Sequence, residues 1–172
     1  MLRLSARLLY FKVAFNKLSI ILNGISFDGK LLKIPAGTFD LQSDGTGGVI
    51  IDSGTTVTYL EQAGYDLVKK AVISAINLPQ VNGSNVTGLD LCYSKPSSTT
   101  KFPTLTFHFK GADYHLPKEN YIYVDSSGII CLAMLPYTGM SIFGNMQQQN
   151  YQILYDNEKN ILSFAPTVCD SL

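Results

Sequence analysis

The stretch Gly48-Val49-Ile50-Ile51-Asp52-Ser53-Gly54-Thr55-Thr56 decides how this chain is read. Val49–Ile51 is a short, wholly apolar, β-branched run, the pattern of a buried strand. A carboxylate directly after such a run is conspicuous, because burying a charge is costly unless hydrogen bonds hold it. Ser53 and Thr55 bring hydroxyl donors to either side, and Gly54 lets the backbone turn tightly enough for amides to face Asp52. In that setting the carboxyl pKa comes under local control, as acid–base chemistry requires. Taken alone, an Asp-Ser-Gly tripeptide is more often an ordinary turn between two strands, so the surrounding chain has to decide.

Outward from this stretch, the pattern is short strands separated by turns. Leu18–Ile25 reads as a strand, Asp28-Gly29 as a hairpin turn, and Leu31–Ile34 as the return strand. Ser43–Gly48 reads as a polar, glycine-rich loop. On the C-terminal side, Gln62–Ile76 is the one strong helix pattern, with Ala63, Leu67, Ala71 and Ala75 on one face and Lys69 and Lys70 outside it. Further strands are expected at Thr104–Phe109, Tyr121–Val124, Ile129–Met134, Ser141–Phe143, Gln152–Tyr155 and Ile161–Ala165. The loop Asn77–Gly88 holds two glycosylation sequons, Asn82-Gly83-Ser84 and Asn85-Val86-Thr87. No repeat and no linker divides the chain.

Bulk properties narrow the functional classes. A chain of 172 residues with 46% hydrophobic residues is long and apolar enough to bury one domain core. Zero formal net charge gives no electrostatic reason to expect nucleic acid or an anionic membrane as partner. Two His and three Cys are too few and too scattered for a zinc site, so no metal or cofactor is expected. No segment reaches the eighteen or so apolar residues that span a bilayer. The first acidic residue is Asp28, so Arg3, Arg7, Lys12 and Lys17 stand unopposed at the N-terminus. Lys12 and Lys17 interrupt any apolar run there, so residues 1–17 read as an atypical basic leader without a convincing signal peptide, and residues 18–172 as the domain.

The deciding context lies downstream, in Met140-Ser141-Ile142-Phe143-Gly144-Asn145, where two apolar residues and a glycine end a strand. An apolar strand, an Asp-Ser-Gly-Thr loop, a helix, a long meander and then an apolar-apolar-Gly strand resemble, in that order, the C-terminal lobe of pepsin-like aspartic proteases. The resemblance runs from about Leu18 to Cys169 and is closest to the nepenthesin-type plant branch. It is carried by Ile50–Leu60, by Ile130-Cys131-Leu132-Ala133-Met134, and by Ser141–Asn145 with Gln147-Gln148-Gln149. It implies a mainly β fold, one lobe of the double-lobed acid protease architecture, with one or two short helices.

It also implies a chemistry, hydrolysis of polypeptide substrates by two aspartates that share a proton and a water. Two close carboxylates do not both ionise easily, so one keeps a proton while the other acts as general base. Asp52 is then one member of the pair, Ser53 couples the two loops, Thr55 bonds the carboxylate, Gly54 shapes the loop, and Gly144 leaves room for it. Cys92 pairs with Cys131, and Cys169 either pairs in another lobe or stays a free thiol. Such a disulfide and the sequons at Asn82 and Asn85 imply an extracellular or vacuolar protein.

One departure from the family limits the expectation. Asp52 is the only aspartate in these 172 residues preceded by an apolar strand and followed by Ser/Thr-Gly. The chain therefore reads as the C-terminal half of an aspartic endopeptidase, inactive alone, needing an N-terminal lobe or a second copy of itself. The alternatives are a homodimeric protease pairing two copies of Asp52, and a non-proteolytic module resembling plant inhibitors of cell-wall-degrading enzymes. The intact Asp52-Ser53-Gly54-Thr55 motif speaks against the last. For the remaining features plain structural readings are expected: His108 outward on an alternating strand, Gln147–Gln149 a solvent-facing turn, and Tyr59 and Tyr137 packing residues.

Overall fold

Short apolar runs fold this chain into strands around one main core, with a smaller buried cluster at Leu89, Cys92 and Cys131. The computed structural model describes residues 7–14 and 17–169. In chain order the strands are β1 (Arg7–Ala14), β2 (Lys17–Ile20), β3 (Leu22–Phe27), β4 (Lys30–Leu31), β5 (Val49–Ile51) and β6 (Thr58–Glu61). Helix α1 (Gln62–Ala75) follows, then β7 (Gln80–Val81), α2 (Ser84–Thr87), β8 (Cys92–Tyr93), β9 (Leu105–Phe109) and β10 (Ala112–Leu116). A 3-10 turn at Lys118–Asn120 leads to β11 (Ile122–Val124), β12 (Ile130–Leu132), β13 (Met134–Tyr137) and β14 (Ser141–Phe143). Helix α3 (Asn145–Gln148), β15 (Tyr151–Asp156) and β16 (Ile161–Pro166) come last. The fold is mainly β, as the sequence implied. The stretch read as a leader contains β1, which pairs antiparallel with β2 and β16; its residues 1–6 and 15–16 lie outside the described residues.

Three sheets form. The largest runs β13-β6-β14-β5-β2-β1-β16-β15, and two four-stranded sheets run β10-β9-β3-β4 and β11-β12-β8-β7. Within the first, β14 lies between β5 and β6, parallel to β5 in the register Ser141↔Val49, Ile142↔Ile50, Phe143↔Ile51. The loop joining β5 to β6 must therefore pass around the end of β14, which places Asp52–Val57 against residues 144–146.

Phe143 anchors this arrangement from below. Its ring is 1% exposed and meets Phe107, Phe109 and Tyr114 edge-on, with centroids 5.3, 5.6 and 5.1 Å away. Burying one such ring contributes about 1.5–3 kcal/mol, and the T-shaped contacts add directionality. Those three partners sit on β9 and β10, so the second sheet fixes the height of β14 and, through it, of the Asp52 loop.

Several local expectations are revised. The run Leu18–Ile25 is not one strand, because the chain leaves the first sheet at Ile21, whose carbonyl accepts from Lys110 N at 2.9 Å, and enters the second as β3. Ile129–Met134 likewise splits at Ala133 between two sheets. The hairpin turn is as read, with Asp28 and Gly29 both at positive φ (52° and 71°), the type I′ signature. The buried face of α1 is Gly64, Tyr65, Val68 and Val72, rotated from the expected Ala63/Leu67/Ala71/Ala75 stripe, and Ala75 is exposed. Large side chains decided the rotation, since Tyr65 and the two valines bury far more apolar area than alanines could.

Candidate active site

Asp52 leaves the end of β5, and its own amide donates to Phe143 O at 3.1 Å. The turn that follows wraps donors around the carboxylate. Gly54 N donates to Asp52 Oδ1 at 2.8 Å, and Thr55 Oγ1 donates to Oδ2 at 2.6 Å. Both carboxyl oxygens are thus held by a group that prefers the ionised form. First the Thr55 hydroxyl and then the Gly54 amide lower the Asp52 pKa, against a smaller opposing push from burial. Asp52 is half-buried, while Ser53, Gly54 and Thr56 are exposed, so the carboxylate is oriented from below and open above. The nearby charge of Asp52 also adds to the burial that raises the Tyr155 phenol pKa.

The loop is locked to the turn after β14. Asn145 N donates to Thr55 O at 2.7 Å, Met146 N to Thr56 O at 2.9 Å, and Asn145 Nδ2 to Ser53 O at 3.2 Å. Gly144 N donates to Thr58 Oγ1 at 3.0 Å. A Cβ on Gly144 would lie 2.5 Å from the Val57 carbonyl carbon and 2.9 Å from Thr58 N, and closer still to the Val57 oxygen. The two segments therefore touch backbone to backbone.

Beneath this contact lies a polar network that the sequence reading missed. Gln147 is fully buried and Gln148 is 8% exposed, so the expectation of a solvent-facing Gln147–Gln149 turn holds only for the exposed Gln149. Gln147 Nε2 donates to Asn120 O at 2.7 Å and Ala133 O at 3.0 Å, and Gln147 Oε1 accepts from Thr58 Oγ1 at 2.7 Å. Gln148 Nε2 donates to Phe143 O at 2.9 Å. Asn120 Nδ2 reaches the carbonyls of Met146, Gln147 and Gln149. Where chains cross without a ladder, carbonyls need side-chain donors, and these amides supply them. The available signal was three long amide side chains directly after a strand-ending glycine.

Other singled-out residues lie elsewhere. Cys92 and Cys131 face each other across β8 and β12, and their sulfurs are bonded, with Cα atoms 4.0 Å apart. Cys169 is free and exposed. Asn82 and Asn85 are exposed, on the segment whose Gly83 packs against that disulfide. Tyr59 and Tyr137 meet edge-on at 5.9 Å, and Tyr137 is half exposed. Beside the loop, Thr56, Val57, Tyr59, Leu89, Tyr123 and Met146 line much of a groove of about 410 Å³. No helix among the described residues is long and apolar enough to cross a membrane.

An aspartate loop interlocked with a strand-ending glycine, on a β lobe of this topology, defines one lobe of a pepsin-like acid protease. Residues 19–166 match the family model described as xylanase inhibitor C-terminal. The chain belongs to that family, as C-terminal-lobe sequence of the nepenthesin-type plant branch of pepsin-like aspartic proteases. It is 50% identical over 154 residues to aspartic proteinase nepenthesin-1 of Nepenthes gracilis, and 47% identical over 154 residues to nepenthesin-2 of the same organism. Each alignment covers 87% of this chain and 35% of the relative, so the chain spans about a third of the length of these curated relatives. Among solved structures, that of edgp superposes with a TM-score of 0.84 at 17% identity, over 99% of this chain and 48% of the other, which speaks to fold alone.

Proposed function

We propose that Asp52 is one of the two carboxylates of an aspartic endopeptidase, the second coming from a partner lobe. The observation that carries this reading is the Asp52 carboxylate itself, held through both oxygens by Gly54 and Thr55 yet open on its upper side. In the dyad, the ionised carboxylate takes a proton from the shared water as its oxygen attacks the scissile carbonyl carbon. The protonated carboxylate hydrogen-bonds the developing oxyanion. Collapse of the tetrahedral species breaks the C–N bond and passes a proton to the leaving amine. Polypeptide is the substrate, and the groove beside Thr56 and Tyr59 receives a substrate side chain.

The lobe takes in β1 as well as the stretch from residue 18 onward, because β1 joins β2 to β16 in the large sheet. Ser53, exposed beside Asp52, couples to the matching loop of the partner lobe. The disulfide and the exposed Asn82 and Asn85 suit the secretory pathway, with an extracellular or vacuolar destination. The second carboxylate comes from an N-terminal lobe; a second copy of this chain is the other source, and β15, at the end of the large sheet with Leu154 63% exposed, offers the edge either would meet. The test combines sedimentation with peptide cleavage at acid pH, for the chain and for Asp52→Asn, with pepstatin as probe. The monomer is expected to be inactive. Cleavage by a dimer that Asp52→Asn abolishes establishes the second-copy arrangement, and cleavage that survives the substitution rules out Asp52 as the catalytic carboxylate.

A further inference from the structure

On the second sheet, far along the chain from the Asp52 loop, three side chains line up across adjacent strands. Ser26 Oγ on β3 lies 2.6 Å from His108 Nε2 on β9. His108 Nδ1 in turn lies 2.7 Å from Asp113 Oδ1 on β10, its direct cross-strand neighbour. A hydroxyl bonded to one imidazole nitrogen, with a carboxylate on the other, is the arrangement that activates a serine nucleophile and fixes the base in the correct tautomer. It is recognised by geometry and roles, on whatever fold it occurs.

Two further observations bear on substrate access. Ser26 and His108 line an open cavity of about 370 Å³, together with Asn23, Gly24 and Leu31. The β3–β9 ladder also shifts register between Leu22 and Gly24, leaving Asn23 as the residue that the pairing skips. Bulges of this kind re-aim backbone and side chain beside reactive groups. Asn23 is exposed, and its carboxamide and skipped backbone N–H are donors of the type that an oxyanion requires. No lysine, arginine or carboxylate lines the cavity, and Leu31 gives it an apolar wall, so a neutral, short acyl group suits it.

We propose that Ser26, His108 and Asp113 form a serine esterase site for small neutral carboxylic esters, independent of Asp52. Ser26 Oγ attacks the ester carbonyl carbon while its proton passes to His108 Nε2. Collapse breaks the acyl C–O bond, and His108 returns the proton to the leaving alkoxide, giving an acyl-serine and an alcohol. Water then adds to the acyl carbon as it loses a proton to His108; collapse breaks the bond from that carbon to Ser26 Oγ, His108 returns the proton to Oγ, and the carboxylic acid leaves. Asp113 is a positioning residue that holds the ring through Nδ1.

The test treats the folded chain with an alkyl fluorophosphonate, which transfers its phosphonyl group to activated serines, and maps the adduct by peptide mass spectrometry. One adduct is expected, on Ser26, with p-nitrophenyl acetate giving a burst of one equivalent of p-nitrophenolate. Pepstatin, directed at aspartic dyads, is expected to leave labelling as it is, so this outcome is separable from that of the Asp52 reading. His108→Ala should abolish labelling, and Asp113→Asn should slow it by roughly 10²–10⁴-fold at an unchanged melting temperature. An unlabelled Ser26 in the folded wild-type chain overturns the proposal, and so does labelling at equal rate in His108→Ala. The first of these needs no variant to fold.

Discussion

Replacing Gly144 with alanine isolates the contact that holds the candidate catalytic loop. Gly144 sits at φ −85° and ψ 177°, a conformation any residue adopts, so the substitution carries no backbone strain. Its whole cost comes from the new methyl, which would lie 2.5 Å from the Val57 carbonyl carbon and 2.9 Å from Thr58 N. Those atoms are backbone within a paired loop, so relief requires the loop and the β14 turn to separate. Overpacking a tight site costs about 1–3 kcal/mol. Separation also stretches the bonds from Gly144 N to Thr58 Oγ1, Asn145 N to Thr55 O and Met146 N to Thr56 O, each worth about 1 kcal/mol net. The expected loss is about 3–5 kcal/mol, read from urea unfolding as a lowered midpoint at constant slope. Gly88→Ala is the contrasting case: it has open space around it but φ at 72°, so strain alone should cost about 1–2 kcal/mol. If Gly144→Ala proves no more destabilising than Gly88→Ala, the backbone contact does not hold the loop, and the ranking derived from it is wrong.

Three further outcomes follow from the same geometry. Gln147→Met keeps the volume but leaves the Asn120 and Ala133 carbonyls and the Thr58 hydroxyl without their buried partner, so stability should fall by about 2–4 kcal/mol in the same assay; a loss under about 0.5 kcal/mol would show that water replaces the amide. Reducing the Cys92–Cys131 bond, which spans 39 residues, should cost about 3–4 kcal/mol by freeing the unfolded chain, measured as a drop in thermal midpoint with and without reductant. Thr55→Val removes the largest cause of the depressed Asp52 pKa, so a carboxyl-carbon NMR titration should show it rising toward the ordinary value. Because a depressed folded pKa stabilises the fold above the unfolded pKa and loses that contribution as pH falls through the folded one, Thr55→Val should also flatten the acid limb of stability against pH. An unchanged titration would mean that the hydroxyl does not hold the carboxylate.

The two strands that flank the candidate site are more legible in the sequence than their surroundings. Val49–Ile51 before Asp52, and Ile142-Phe143 before Gly144, are local patterns with fixed meanings, and both strands stand where they were read. Chain-local patterns do not show which sheet a strand joins. That is why Leu18–Ile25 and Ile129–Met134 looked continuous and are in fact divided, at Ile21 and Ala133, between sheets. Periodicity locates helix α1 but misjudges its rotation, because evenly spaced alanines make a regular stripe although they have little area to bury. Polarity alone puts Gln147 and Gln148 on the surface, yet both are buried. Their burial follows from orphan carbonyls at a chain crossing, which no periodicity reveals. The same blindness to tertiary neighbours left His108 as a lone outward histidine, although Ser26 and Asp113 meet it from strands 82 and 5 residues away.

The protonation of Asp52 also bears on what this lobe can do by itself. Peptide hydrolysis without a metal or a covalent intermediate requires a base for water and an acid for the scissile oxygen at the same moment. Thr55 and Gly54 make Asp52 a weaker base but keep it ionised into more acidic solution than an ordinary aspartate. Among the described residues no other carboxyl group bonds to the loop, so within them Asp52 has no carboxylic acid beside it. Bringing a second carboxylate alongside changes this without altering any contact within the lobe. Like charges at close range raise one of the pair's two apparent pKa values, and the proton retained by the pair becomes the missing acid. In the proposed dyad, the hydrogen bonds on Asp52 would favour its ionised form, and a partner's approach would supply the proton that peptide hydrolysis needs. Acid-range activity should therefore appear only with the pairing of lobes, as a property of the dyad that neither carboxylate has alone.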